Sequence, residues 1–120
     1  NNRLGIVPFR NCYFVTDVER TILDSVARPF YSGGVTQVLE AIINAKNVID
    51  VDKLVYYYNQ MHYIYPYHQA LGFYLEKAGY EKQALVPFLK MKQVHKFYLT
   101  YNMRFTEFDP RWNLFFPRGF

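Results

Sequence analysis

Residues 16–24 read Thr-Asp-Val-Glu-Arg-Thr-Ile-Leu-Asp, and this stretch predicts the start of a helix. Thr16 is the predicted N-cap, and Glu19 stands three residues later, where a capping box has an acidic side chain. Apolar residues at i, i+4 and i+8 mark one helix face, and they are Val18, Ile22 and Val26. Glu19, Arg20 and Asp24 fall on the polar side, where Arg20 and Asp24 are one turn apart and are expected to pair.

The same kinds of signal continue along the chain and predict four helices. The pair Arg28-Pro29 ends the first helix, because a residue before proline is pushed out of the α region. Gly33-Gly34 opens the second helix, and Gly79 is a suitable residue to end the fourth. Periodicity and capping residues place the four helices at residues 17–27, 34–46, 52–62 and 66–78.

The two ends of the chain have the composition of β-strands. β-Branched and aromatic residues concentrate at residues 5–9, 12–15, 96–101 and 112–116. Pro87 interrupts the helical pattern of residues 80–95, so we expect there two short pieces or one helix that begins near Val86. We therefore predict an α+β fold: a mainly helical single domain over residues 1–120, with a small β-sheet formed by the N- and C-terminal segments.

The composition indicates a folded domain with many tyrosines. The chain has 120 residues, of which 51% are hydrophobic and 20% aromatic, which is enough apolar material for one core. It contains 12 Tyr and 11 Phe, and a tyrosine can bury its ring while its hydroxyl stays at a polar surface. The residues predicted to form a protein interface are Tyr57, Tyr63, Tyr65 and Tyr67. Ordinary core packing is the alternative for these rings.

Positive charge is concentrated in the second half of the chain. The formal net charge is +4; residues 1–60 have six basic and six acidic side chains, whereas residues 61–120 have eight basic and four acidic ones. Such asymmetry favours an acidic partner, either nucleic acid or an acidic protein face. The residues predicted to contact nucleic acid are Lys82, Lys90, Lys92, Lys96 and Arg104, with Tyr80, Phe88 and Tyr98 as nearby rings for base stacking. An ordinary solvated face is the alternative.

No residue pattern points to catalysis or to a bound cofactor. The three histidines, which lack the spacing of a zinc site, are His62, His68 and His95. Asp17 and Asp24 share a helix face, but Arg20 lies between them and would neutralise either carboxylate. The pair Gly33-Gly34 lacks the Gly-Lys-Ser/Thr ending of a phosphate-binding loop. We therefore expect a non-enzymatic protein with no metal site and no cofactor, with a degenerate nuclease as the alternative.

Cysteine usage and hydropathy indicate the cellular compartment. Cys12 has no second cysteine in the chain with which to form a disulfide, as is usual in a reducing compartment. The sequence has neither an apolar run of about 18 residues nor the apolar region of a signal peptide. We therefore predict a cytoplasmic protein with no membrane partner. Because the chain begins with Asn1 rather than Met, it is compatible with a piece of a longer protein.

The opening stretch and several later ones resemble the AbiEi family of antitoxins and transcriptional regulators. The family motif reads roughly Thr-Asp-x-Glu-Arg-Thr-Ile-x-Asp, then Arg-Pro-x-x-x-Gly-Gly, and residues 16–34 match it almost position for position. Weaker likenesses follow in residues 32–35, 52–57, 68–76 and 112–114, so the resemblance covers about residues 14–116. The chain departs from the family at Ala70, where a basic residue is usual.

Several expectations follow from this resemblance. It implies an α+β C-terminal domain behind an N-terminal winged helix-turn-helix, autorepression of a two-gene operon, and neutralisation of a nucleotidyltransferase-like AbiEii toxin in an abortive-infection system. It also implies a positive face that assists operator DNA binding. The motif residues expected to hold the fold are Thr16, Glu19, Arg20, Asp24, Arg28, Gly33 and Gly34. These 120 residues contain no winged helix, so sequence-specific DNA binding is not expected of this chain alone. The alternative is an interaction or dimerisation module that uses the tyrosine-rich surface.

Overall fold

Five α-helices lie between an N-terminal hairpin and a C-terminal sheet in the computed structural model, which describes residues 3–9 and 13–120. The helices are α1 (Val18–Ala27), α2 (Val35–Asn44), α3 (Val51–Met61), α4 (Tyr67–Lys77) and α5 (Lys82–Leu89), with a 3₁₀ turn over Pro29–Ser32. The strands are β1 (Ile6–Phe9), β2 (Tyr13–Thr16), β3 (Phe97–Tyr98), β4 (Thr106–Asp109) and β5 (Leu114–Pro117). The chain is therefore an α+β single domain. No helix in the described ranges is long and apolar enough to cross a bilayer.

The sheet differs from the prediction, because the two ends of the chain do not pair with each other. β1 pairs antiparallel with β2, with Ile6 opposite Thr16, so the N-terminal strands form their own hairpin. The C-terminal sheet has the order β3-β5-β4, with β5 parallel to β3 and antiparallel to β4. The prediction missed β4, since its Thr-Glu-Phe-Asp sequence does not read as a strand. With β4 in place, β5 has a partner on each side and cannot pair with an N-terminal strand. Cys12, placed in a predicted strand, lies outside the described residues.

The four helices expected from periodicity are present, within a few residues of their predicted ends. The N-cap of α1, however, is Asp17 rather than Thr16, because the Asp17 Oδ1 accepts the N–H of Arg20 at 3.0 Å. The hydroxyl of Thr16 instead lies 2.7 Å from that of Thr21. Gly79 follows the end of α4 as predicted, with a φ of 83° that favours glycine.

The fifth helix is continuous through Pro87, whereas the sequence predicts two pieces or a helix that begins near Val86. Pro87 lies in the last turn of α5, where it removes one hydrogen bond to the carbonyl of Gln83. Gln83 is exposed, so water can supply a donor to that carbonyl. Leu85 and Phe88 are buried, and α5 packs against α4 and α3, so this packing together offsets the local cost of the proline.

The central helix is α4, in which residues 68–75 are all buried. It contacts α1, α2, α5 and β3. Gly72 lets the fully buried ring of Trp112 lie directly on the helix, since a β-carbon at this position would be 2.1 Å from two ring atoms. The side chain of Gln69 donates to the Trp112 carbonyl at 2.8 Å, and Trp112 Nε1 donates to Glu76 at 2.8 Å. These contacts anchor the turn between β4 and β5, and with it the C-terminal sheet, on α4.

Candidate nucleic-acid interface

The motif that opens α1 joins that helix to α3. One carboxylate oxygen of Asp17 accepts the hydroxyl of Tyr57 at 2.6 Å, and the ammonium of Lys53 lies 3.1 Å from the same oxygen. Burial tends to raise the pKa of Asp17, but the hydrogen bonds from Tyr57 and from the Arg20 N–H, together with Lys53, bring that pKa below its ordinary value. Burial and the bond to Asp17 raise the pKa of Tyr57. This cluster holds α1 against α3.

Glu19 is a buried link between the same two helices, and it takes no part in a capping box. Glu19 is 3% exposed, so its predicted place on the polar side of α1 is wrong. One carboxylate oxygen accepts the N–H of Asp50, the N-cap residue of α3, at 2.8 Å. The other oxygen lies 3.6 Å from the ammonium of Lys53. A carboxylate that is buried with both a donor and a cation serves as a structural anchor.

Other motif residues line a surface hollow of about 450 Å³. The motif residues on its walls are Thr16, Arg20, Asp24 and Arg28, and they are joined by Tyr63. Arg20 Nε donates to a carboxylate oxygen of Asp24 at 3.0 Å, so the predicted ion pair is present. Gly33 and Gly34 form the turn that follows the motif helix, with φ values of 90° and 104° that suit glycine. The motif therefore shapes both the turn and the hollow.

The five residues predicted to contact nucleic acid are all exposed, but they do not form one stripe. Lys82 begins α5 and Lys90 follows its last residue, which puts them about 12 Å apart along the helix axis. Lys92 and Lys96 lie between α5 and β3, and Arg104 lies between β3 and β4. Within the described residues, no carboxylate oxygen lies within 4.0 Å of any of these cations. Their side chains are therefore available to phosphate groups. Because they lie on three different parts of the fold, a single nucleic-acid backbone would not follow them as one line.

One face of the C-terminal sheet is aromatic, and Lys96 lies over it. Strand pairing places Tyr98, Phe115 and Phe108 side by side on β3, β5 and β4, and we call these three the aromatic row. The rings of Tyr98 and Phe115 stack with centroids 4.9 Å and planes 14° apart, and Phe108 is also 4.9 Å from Phe115. The Lys96 ammonium lies 5.7 and 5.8 Å from the centroids of Phe108 and Phe115. Tyr98 is 61% and Phe108 40% exposed, so the row faces solvent.

Of the three rings predicted to stack a base, Tyr98 alone has an exposed ring. The prediction for Phe88 is wrong, because its ring is fully buried. Tyr80 is half-buried, its hydroxyl donates to a backbone carbonyl of α2 at 2.8 Å, and burial raises its pKa to about 12. Sequence reasoning missed Phe108 and Phe115 as stacking rings. Phe108 lies on β4, which was not predicted, and Phe115 aligns with Tyr98 through the β3–β5 pairing, which local patterns do not reveal.

The tyrosines predicted as a protein interface do not share one surface. Tyr57 is 8% exposed and bonded to Asp17, which corrects its assignment to an interface. The other three form a chain of ring contacts, with centroids 5.0 Å apart for Tyr63 and Tyr67 and 6.1 Å apart for Tyr65 and Tyr67. Tyr65 is exposed, whereas Tyr63 and Tyr67 are half-buried. These three rings are therefore partly core and partly surface.

An apolar cleft of about 330 Å³ lies where this chain of rings meets the aromatic row. The tyrosines on its walls are Tyr65, Tyr67, Tyr98 and Tyr101. Because Tyr98 belongs to both features, the cleft adjoins the aromatic row at the edge formed by β3. Burial raises the pKa of Tyr67, so its hydroxyl stays neutral in the physiological range.

His68 is a core histidine with both ring nitrogens engaged. Nδ1 lies 3.1 Å from the hydroxyl of Tyr58, and Nε2 lies 3.0 Å from the carbonyl of Lys92. Burial lowers the pKa of His68, although the bond to the Lys92 carbonyl opposes the shift. Within residues 3–9 and 13–120, no group of three or more His, Cys, Asp or Glu side chains is arranged to hold a metal ion.

Two surface features of the described residues are suited to binding: the hollow at the opening motif, and the aromatic row with its cleft and Lys96. The first has guanidinium and carboxylate groups beside a tyrosine, and the second has stacked rings beside a cation. Side chains of these kinds anchor partners by contact. No family model, no curated protein and no solved structure matches the chain.

Proposed function

We propose that this chain is the C-terminal domain of an AbiEi-like antitoxin and transcriptional regulator, and that it acts by binding rather than by catalysis. The observation that carries the proposal is the placement of the opening motif. Capping α1 requires Asp17 alone, whereas Arg20, Asp24 and Arg28 extend to the walls of the hollow. Of the motif side chains on these walls, Thr16, Asp24 and Arg28 are exposed, which is more polar surface than a helix start requires, and this supports a binding role.

The partner that we propose for the hollow is a nucleotidyltransferase-like toxin. Arginine and tyrosine are the residue types that anchor protein interfaces, and Arg20, Arg28 and Tyr63 line this hollow. Arg20 is paired with Asp24, whereas Arg28 is exposed. We therefore expect Arg28 to meet an acidic group of the toxin through a charge-assisted hydrogen bond.

Co-expression with a toxin of this class from the same operon tests the proposal, with growth and co-purification as readouts. Arg28→Glu is expected to abolish growth rescue and co-purification. Lys82→Glu reverses an exposed cation on α5 that does not line the hollow, and it is expected to retain both. If both variants neutralise the toxin as well as the unchanged chain does, the hollow is not its binding site. Growth rescue without co-purification would indicate an indirect effect.

The second part of the proposal is support of operator binding through phosphate contacts. The net charge of +4 comes from the second half of the chain, and the five predicted cations are exposed. Lysine contacts to phosphate position a protein on DNA without reading its sequence. We therefore expect weak duplex binding that is independent of sequence and falls steeply with salt.

A salt titration of duplex DNA binding tests this second part. Replacing Lys90, Lys92 and Lys96 together by Glu is expected to abolish binding at low salt. Arg28→Glu is the control for a charge reversal outside the lysine set: it reverses one exposed cation, which lies at the toxin hollow, and it is compared with each single Lys→Glu variant. Absence of binding by the unchanged chain at low salt would show that the lysines are an ordinary solvated face.

A dimerisation module is the second candidate function, and the tyrosine-lined cleft favours it. Tyr65, Tyr98 and Tyr101 are exposed at this cleft, and exposed tyrosines are rigid anchors for a protein partner. Analytical ultracentrifugation of the chain and of Tyr65→Ala tests this candidate, with Tyr56→Ala on α3 as the control. Self-association that Tyr65→Ala alone removes would support it, and a monomer at all concentrations would reject it.

A further inference from the structure

We propose that the aromatic row and its adjoining cleft bind single-stranded nucleic acid by stacking its bases. This goes beyond the support of duplex DNA proposed above, and it does not depend on the family resemblance. The two faces of the C-terminal sheet are unlike each other. Leu114 is fully buried, and the ring of Phe116 lies 5.1 Å from that of Phe73 on α4. The opposite face, with Phe115 at its centre, is left to solvent with its rings already stacked.

The charges around the aromatic row favour a polyanion. Lys96 lies over the row, with its ammonium 5.7 Å from the centroid of Phe108 and 5.8 Å from that of Phe115. The acidic residues of β4, Glu107 and Asp109, alternate with the ring that this strand contributes and so belong to the opposite face. A cation beside exposed rings, with the neighbouring carboxylates turned away, is complementary to a phosphate backbone that carries bases.

The cleft allows a base to extend the existing stack. Tyr98 stacks on Phe115 and also lines the cleft, so a base in the cleft would continue the order Phe115, Tyr98, base. At about 330 Å³, the cleft is at the lower end of the size range of small-ligand pockets. Because Phe115 already has a ring packed on each side, the ring faces left for bases are those at the two ends of the row, on Tyr98 and Phe108.

The arrangement suits single strands better than duplexes. In a duplex the bases are paired and stacked on one another, so rings on a sheet can reach only the backbone or a groove edge. In a single strand each base exposes its π-face, and aromatic side chains can stack on it with little sequence preference. Lysines alone would bind both forms, whereas the aromatic row adds affinity for the unpaired form.

Fluorescence anisotropy with labelled oligothymidylate of about ten nucleotides, compared with a duplex of equal length, tests the proposal. The unchanged chain is expected to bind the single strand more tightly than the duplex. Tyr98→Ala is expected to weaken single-strand binding about tenfold and to leave duplex binding unchanged. Tyr98→Phe keeps the ring and should retain the affinity. Tyr56→Ala removes an exposed tyrosine from α3 and is the matched control.

Two further variants separate the contributions of stacking and charge. Lys96→Gln should reduce the slope of the logarithm of the single-strand binding constant against the logarithm of the salt concentration, by roughly the amount due to one phosphate contact. Phe108→Ala should weaken binding without changing that salt dependence, and it replaces Tyr98→Ala should the latter fail to fold. The emission of the buried Trp112 reports folding in each case. Three outcomes would overturn the proposal. The unchanged chain binds single strand and duplex with equal affinity, or Tyr98→Ala and Tyr56→Ala bind the single strand equally well. In the third, no oligonucleotide binds and Tyr98→Ala loses only self-association. None of these outcomes affects the toxin test.

Discussion

Gly72→Ala is expected to destabilise this domain, although alanine is the better helix former. Helix propensity alone would stabilise α4 by about 1 kcal/mol. A β-carbon at this position, however, would lie 2.1 Å from two atoms of the Trp112 ring, far inside contact distance. The ring cannot move away freely, since Trp112 Nε1 is bonded to Glu76 and its carbonyl to Gln69.

The size of the effect follows from two bounds. Overpacking a core costs about 1–3 kcal/mol when neighbours adjust. Complete displacement of the indole would approach the ~3–5 kcal/mol lost when a buried tryptophan is truncated. After the helix propensity is set against these costs, we expect Gly72→Ala to lower the free energy of unfolding by about 2 kcal/mol.

Urea unfolding followed by far-UV circular dichroism measures this, with four proteins in a double-mutant cycle. They are the unchanged chain, Gly72→Ala, Trp112→Leu and the double variant. Because the clash requires the indole, Gly72→Ala is expected to be neutral or stabilising in the Trp112→Leu background. The reasoning is refuted if Gly72→Ala unfolds at the same or a higher urea concentration than the unchanged chain, or if its cost is equal in both backgrounds.

Three further predictions concern titratable side chains. Tyr57→Phe removes the hydrogen bond to the Asp17 carboxylate and should lower the free energy of unfolding by about 1.5 kcal/mol in urea denaturation. The pKa of Asp17 is lowered in the folded state, so the unfolded chain binds more protons in the acid range. The unchanged chain should therefore be more stable than Asp17→Asn above pH about 4, and this difference in the free energy of unfolding should shrink as the pH falls below that value. Urea unfolding of both proteins across this pH range measures the difference. Burial raises the pKa of Tyr80 from 10.0 to about 12, so its contribution to stability is present below pH 10 and lost as the pH rises toward 12. The variant Tyr80→Phe should lack this alkaline loss, which thermal unfolding at pH 9 to 11 would detect; identical alkaline curves would contradict it.

Local signals in the sequence were sufficient to locate four helices. Apolar spacing and Gly79 act within one or two turns, and the pair Arg20 and Asp24 is set by helix geometry alone. Signals that depend on distant partners were misread. Glu19 fits a capping box locally, yet its carboxylate accepts the N–H of Asp50, which is 31 residues away. Pro87 reads as a helix break, but the burial of Leu85 and Phe88 and the packing of α5 against α4 and α3 keep the helix continuous.

The candidate site was predicted in its components but not in its arrangement. Exposure of the basic residues follows from their chemistry, and Tyr98 was among the rings expected to stack a base. The aromatic row, by contrast, exists because β5 lies between β3 and β4, and this strand order cannot be read from local alternation. Tyr57 illustrates the same difficulty, since a tyrosine on an amphipathic helix fits a surface or a core until its hydrogen-bond partner, here Asp17, is known.

The central position of β5 has a consequence for biosynthesis. All five helices and both edge strands of the sheet leave the ribosome before residues 114–117, which join those edges. Until residues 112–114 have emerged, α4 lacks the cover that Trp112 and Leu114 provide, and its apolar surface is open to chaperones and proteases. A translation product that stops before residue 114 would be a degradation substrate, whereas one that continues past residue 117 can close its core. The C-terminal sheet and the core beneath it can therefore close only after translation has passed residue 117.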